Sequence, residues 1–121
     1  MKMRKIWRLE HKDGAGIYAS GIAVCVMESI LASARHPMPH DDVGLRDVWG
    51  DVGSCDWYFG FASLAQYRAW FFKRAHRKAF EMAGAVLRLY VVPAHSYHRG
   101  MNQAIFIRAQ AHVVQERSPD I

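Results

Sequence analysis

The chain has 121 residues, 51% of them hydrophobic, and a formal charge of +5 from 16 Lys and Arg against 11 Asp and Glu. That length suits one domain able to bury roughly two thirds of its unfolded surface, which makes a two-domain reading unnecessary, and the positive balance favours a partner, ligand or surface of negative charge. Two cysteines, Cys25 and Cys55, are too few for a disulfide framework and read as reduced thiols of a cytoplasmic protein.

Ile6, Arg8 and Glu10 alternate with Trp7 and Leu9, the pattern of a half-buried strand. KDGAG then supplies two glycines for a turn ahead of a short IYAS segment. The run GIAVCVMESILASA is apolar on nearly every side, and its Ala, Met and Leu content favours a buried helix, with a strand over IAVCVM as the alternative. Its apolar part, Gly21 to Ala32, contains Glu28 and spans about a dozen residues where a bilayer-spanning helix needs about 20, so no membrane segment is expected. The charges of MKMRKIWRLEH are followed by no long apolar h-region or cleavage site, so nothing marks the chain for export.

From Arg35 to Asp56 the composition shifts to Pro, His, Asp and Gly, an irregular loop of roughly twenty residues with Val43, Leu45, Val48 and Trp49 as its anchors. Loops of that length are uncommon inside compact domains and are often functional. WYFGF reads as an aromatic strand in which Gly60 admits another backbone or a ligand. Ser63 and Gln66 have the Ser-x-x-Gln spacing of a capping box, so a helix begins at Leu64. Its buried stripe of Leu64, Tyr67, Phe71 and Ala75 continues through Ala79 and Met82 to Gly84 as C-cap, with room for a break near Lys73 to His76.

AVLRLYVV is a strand stopped by Pro93, PAHSYHRGMN a polar loop, and QAIFIRA and AHVVQ two closing strands joined near Ala109 to Ala111. The order predicts one α+β domain over residues 1–121, with a mainly antiparallel sheet, continuous or split, packed with one principal helix from Leu64 to Ala83.

Several of these segments carry a resemblance. RLEHKDGAGIY, HPMP with the acidic pair after it, FGFASLAQYRAWF and VLRLYVV resemble small proteins of phages and prophages. This similarity covers most of the chain and implies a phage accessory or host-defence-modulating role in the host cytoplasm.

A second resemblance is to the ADP-ribosyltransferase fold, whose NAD site in one large branch is marked by an Arg on the first strand, a Ser ending a strand before a helix, and a Glu opening a late strand. Arg8 in WRLEH and Ser63 in FGFAS match the first two positions, and Gln103 in MNQAIFIRAQAHVV stands at the third. The resemblance implies an Arg8 that contacts phosphate or ribose oxygens of NAD, a Ser63 that bonds the nicotinamide ribose, and Tyr18, Tyr58 or Tyr67 offering a face to the nicotinamide. A glutamine accepts the ribose hydrogen bond but lacks the charge that stabilises a breaking glycosidic bond, a loss typically on the order of 100- to 1,000-fold in rate. Binding of NAD or an ADP-ribose-containing ligand is therefore expected more readily than turnover, and nothing in the spacing brings Glu10 or Glu116 in as a substitute.

Plainer readings stand beside these. Ser63 is adequately explained as a helix cap, Arg8 as a solvated strand residue paired with Glu10 or Asp13, and Gln103 as a polar residue at a strand start. KRAHRK sets Lys73, Arg74, Arg77 and Lys78 on one helical face with Arg68 nearby. That face is either solvated or a surface for a host protein or nucleoprotein complex of acidic surface, in the manner of an anti-CRISPR inhibitor. His36, His40, Asp41 and Asp42, with His95 and His98, have the chemistry of metal ligands but lie in loops at unspecific spacing, so no metal is expected. Trp7, Trp49, Trp57 and Trp70 are expected in the core, and Cys25 as a buried, inert thiol.

Overall fold

The computed structural model describes residues 2–16, 44–45 and 57–121. Tyr18, the helix expected over Gly21 to Ala32, both cysteines, His36, His40, Asp41, Asp42, Trp49 and the rest of the 35–56 loop except Gly44 and Leu45 lie outside these residues. Leu45 is fully buried, as its expected anchoring role requires.

The described residues form two small antiparallel sheets and two helices. Strand β1 (Met3–Glu10) pairs along its whole length with β3 (Val86–Pro93), which pairs on its other side with β6 (His112–Arg117). The second sheet has the order β2 (Trp57–Gly60), β5 (Ala104–Ile107), β4 (Tyr97–Arg99). Helices α1 (Leu64–Trp70) and α2 (Arg74–Met82) lie between β2 and β3 in the chain.

The half-buried expectation for β1 needs correction, because Ile6 through Glu10 are all buried. Successive side chains of a strand point to opposite faces, and here both faces are covered. Trp7 and Leu9 join Leu87, Leu89 and the helical aromatics Tyr67, Trp70 and Phe80 in one core, while Ile6 joins Tyr90, Val92, Ala104 and Phe106 in another. The two sheets meet where Trp7 and Phe61 exchange backbone hydrogen bonds of 2.8 and 2.6 Å. Gly60 makes that approach possible, since a Cβ there would stand 2.6 Å from the Trp7 carbonyl oxygen.

The single principal helix is also corrected to two. Phe71 ends α1 and Phe80 lies in α2, yet their rings pack edge to face at 5.0 Å. In one continuous helix, nine residues at about 100° each would put these rings on opposite sides and roughly 13 Å apart along the axis. Breaking the helix at Phe71–Lys73 lets both enter the same core, and Arg77 Nη1 donates to the freed Phe71 carbonyl at 2.6 Å. The far end matches expectation, with Gly84 at φ +88° just beyond the Ala83 cap.

PAHSYHRGMN is more ordered than a polar loop, because it holds a 3-10 turn at Ala94–Ser96 and then β4. The two closing strands are present but do not pair with each other. A 3-10 turn at Arg108–Gln110 carries the chain from β5 in the second sheet to β6 in the first.

Candidate functional site

Alternation along β1 points Ile6, Arg8 and Glu10 to one face, and the antiparallel register sets Arg8 directly opposite Arg88 on β3, with Glu116 opposite Arg88 on β6. Like charges directly opposite each other destabilise a sheet. The Glu10 carboxylate, fully buried, resolves the conflict. Arg8 Nε donates to its Oε2 at 2.9 Å, Arg88 Nη1 to its Oε1 at 3.0 Å, and the Tyr90 hydroxyl donates to Oε1 as well. A third guanidinium, that of Arg108 after β5, brings its buried Nε to 3.6 Å from Oε2, outside hydrogen-bond distance.

Each arginine has a second tether. Arg8 Nη1 donates to the Phe59 carbonyl at 2.8 Å and its guanidinium lies 5.0 Å from the centre of the Tyr58 ring. Arg88 donates to Glu116 at 3.0 Å and to the Lys12 carbonyl at 2.8 Å. Arg108 lies over the Tyr90 ring at 5.7 Å. The KDGAG turn closes on this cluster: a Cβ at Gly14 would meet Arg108 Nη2 at 2.5 Å, and one at Gly16 would meet Arg8 Nη2 at 2.9 Å. Asp13 is not the partner of Arg8, since its carboxylate accepts from Ala15 N within the turn. Among the described residues, three guanidiniums face the two carboxylates of Glu10 and Glu116, an excess of one positive charge.

The ionisation of the cluster follows from burial and these contacts. Burial pulls the Arg8 guanidinium below its ordinary value, with Glu10 pulling it back and Arg108 adding to the decrease. Burial acts the same way on Arg88, but its bonds to Glu10 and Glu116 outweigh it and the net direction is upward. The Tyr90 phenol is pushed up by burial first and by its bond to Glu10 second. Arginine keeps its charge at physiological pH whatever its surroundings, and the upward shift of Tyr90 keeps its phenol a neutral donor there.

Arg8 and Tyr58 thus meet at the Glu10 cluster. Ser63 sits elsewhere, as the cap of α1, where its hydroxyl accepts from Gln66 N at 3.1 Å. The return bond of the capping box shifts by one residue, with Gln66 Oε1 accepting from Ala62 N at 2.8 Å. Gln66 Nε2 then donates to the Gly100 and Met101 carbonyls, which links the cap to the turn holding Gln103, a buried residue whose backbone carbonyl accepts from Gly100 N at 2.7 Å. Tyr67 lies in the aromatic core, where its hydroxyl donates to the Pro119 carbonyl at 2.6 Å. His98 stacks on Trp57 with centroids 5.2 Å apart.

Sequence reasoning passed over Arg88, Tyr90 and Arg108. The available signal was Arg88 itself, a charge in the middle of the otherwise apolar AVLRLYVV. Of the basic helix residues, Lys73, Arg74 and Lys78 are exposed, whereas Arg77 is held against the Phe71 carbonyl. Among the described residues, no helix is long and apolar enough to cross a membrane.

A family model described as "Bacteriophage T4 Y00F protein" matches residues 1–120. No curated protein and no solved structure matches the chain. The phage setting read from the segments is therefore supported, and a likeness to ADP-ribosyltransferases is not shown.

Proposed function

As the chain belongs to the bacteriophage T4 Y00F protein family, we propose that it is a phage accessory protein that binds NAD or a related phosphate-bearing nucleotide at the corner of Arg8 and Tyr58 and does not turn it over. One observation carries this reading: three guanidiniums gather on a single buried carboxylate beside Tyr58, which is 40% exposed. The surplus charge suits a pyrophosphate. Arg108, with 34% of its side chain exposed, has the planar donor set that grips phosphate oxygens in pairs. Tyr58 adds an aromatic face for a base or nicotinamide ring.

Catalysis is not part of the reading. Glu10 stands beside Arg8, but its charge is already engaged by Arg8, Arg88 and Tyr90, so little is left to stabilise a developing cation. Calorimetric titration with NAD and with ADP-ribose tests the proposal on the wild type, Tyr58→Ala and Arg108→Gln, with circular dichroism as the check on folding. The wild type should give heat with at least one ligand, and each variant should bind about 10-fold or more weakly. A wild type silent with both ligands overturns the binding site. Nicotinamide release above background overturns the non-catalytic part.

A further inference from the structure

We propose that the cationic surface at the junction of α1 and α2 binds single-stranded nucleic acid, and that Asp120 of the chain itself occupies one of its phosphate positions. This surface is separate from the Glu10 cluster, and the inference does not rest on the nucleotide reading. Lys73, Arg74 and Lys78 are exposed along α2, and Arg68 contributes from α1. Residues 120–121 bond to both helices. Arg74 Nε donates to Asp120 Oδ1 at 3.1 Å and Nη2 to Oδ2 at 3.5 Å, while Arg68 Nε donates to the Ile121 carbonyl at 3.2 Å. Lys78 and Arg77 add their charge at the same carboxylate. The surface thus already collects an oxyanion from its own chain, in the paired geometry that a guanidinium also offers to phosphate.

The helix break supplies the second half of the argument. It leaves Phe72 between α1 and α2, 47% exposed, with Lys73 Nζ 5.9 Å from the ring centre. An exposed aromatic set among cations is the composition of a single-strand site, where the ring stacks on an unpaired base and the cations follow the phosphates. A duplex keeps its base faces stacked on one another and has none free for such a ring, whereas an unpaired strand offers both a base face and the phosphates that the cations follow. Glu81, which accepts from the Ser118 hydroxyl, bounds the surface toward the end of α2.

The experiment is fluorescence anisotropy with a labelled oligothymidylate of roughly 15 nucleotides, at several salt concentrations. The proteins compared are the wild type, Phe72→Ala, Lys73→Glu/Lys78→Glu and Asp120→Asn, each checked for folding. Wild-type affinity should fall as salt rises, and charge reversal should weaken binding about 10-fold or more. Phe72→Ala should weaken it about 5-fold or more through lost stacking. Asp120→Asn should tighten it by freeing Arg74. No binding at about 50 mM salt overturns the proposal, as does equal or tighter binding of a duplex. Unchanged affinity in Phe72→Ala combined with displacement by polyglutamate would identify an acidic protein surface instead and also overturn it.

Discussion

Arg8 and Arg88 are direct cross-strand partners, and each donates to a different oxygen of the Glu10 carboxylate. Two like charges at the centre of a buried sheet face are thereby converted into one network in which the carboxylate is the shared element. Tyr90, two residues on from Arg88 in β3, and Arg108, just after β5, complete it.

That arrangement makes Glu10 the most sensitive charge among the described residues. Glu10→Gln would leave buried guanidiniums without their counter-charge, and breaking a buried pair in this way costs about 3–5 kcal/mol. Glu116→Gln removes a half-exposed partner of Arg88 and should cost less than about 1 kcal/mol. Urea denaturation of both variants measures the contrast, and equal losses would contradict it.

Gly60 and Gly84 should respond to alanine for different reasons. At Gly60 the added Cβ collides with the Trp7 carbonyl and with Ile6 where the two sheets join, an overpacking cost of about 1–3 kcal/mol. At Gly84 nothing lies within 4 Å, and only the positive φ opposes the substitution, at roughly 1–2 kcal/mol. Thermal unfolding gives both values. Gly60→Ala should in addition shift the near-ultraviolet signal of Trp7, whereas Gly84→Ala should leave it unchanged.

Ser63→Ala should cost about 1 kcal/mol by leaving Gln66 N without its acceptor, and Ser63→Asn should restore most of that loss because asparagine also caps. Gln66→Ala should cost more, since it also removes the bonds to Gly100 and Met101. Chemical denaturation of the three variants checks the order.

Tyr67 ties residue 119 to the aromatic core. Burial lifts its phenol above the ordinary value of about 10. Because the folded value exceeds the unfolded one, the stability contributed by this hydroxyl is complete below about pH 10 and is lost as pH rises toward the folded value. Tyr67→Phe should therefore lower stability at neutral pH and flatten its alkaline decline, as read from urea midpoints between pH 8 and about 11. Asp120 has the opposite sign. The hydrogen bond from Arg74 holds its carboxyl below the ordinary range, so its contribution is present above about pH 4 and is lost as pH falls. Amide protection at residues 118, 120 and 121, taken relative to the intrinsic exchange rate at each pH, should fall in acid for the wild type, and in Asp120→Asn it should not change with pH over that range.

The features legible in the sequence were those that neighbouring residues decide among themselves. Alternation from Ile6 to Glu10, the Ser63 cap, the glycine at the close approach and the strand ended by Pro93 all depend on local periodicity or on hydrogen bonds within one turn. Less legible was anything that a local pattern describes equally well in two ways. The stripe from Leu64 to Met82 fits one helix, but the need to place Phe71 and Phe80 in the same core breaks it. QAIFIRA and AHVVQ are two strands in either case, and only the available partners, β2 and β4 for one and β3 for the other, assign them to different sheets.

Sequence by itself determined the class of the domain, its strands near the termini and the positions of its caps, because these follow from propensity and spacing over a few residues. Tertiary structure alone decided that Arg8, Arg88 and Arg108 share one carboxylate. Charge attraction between residues up to 98 positions apart becomes strong only when strand register brings them within a few ångströms and burial removes the water that would screen them.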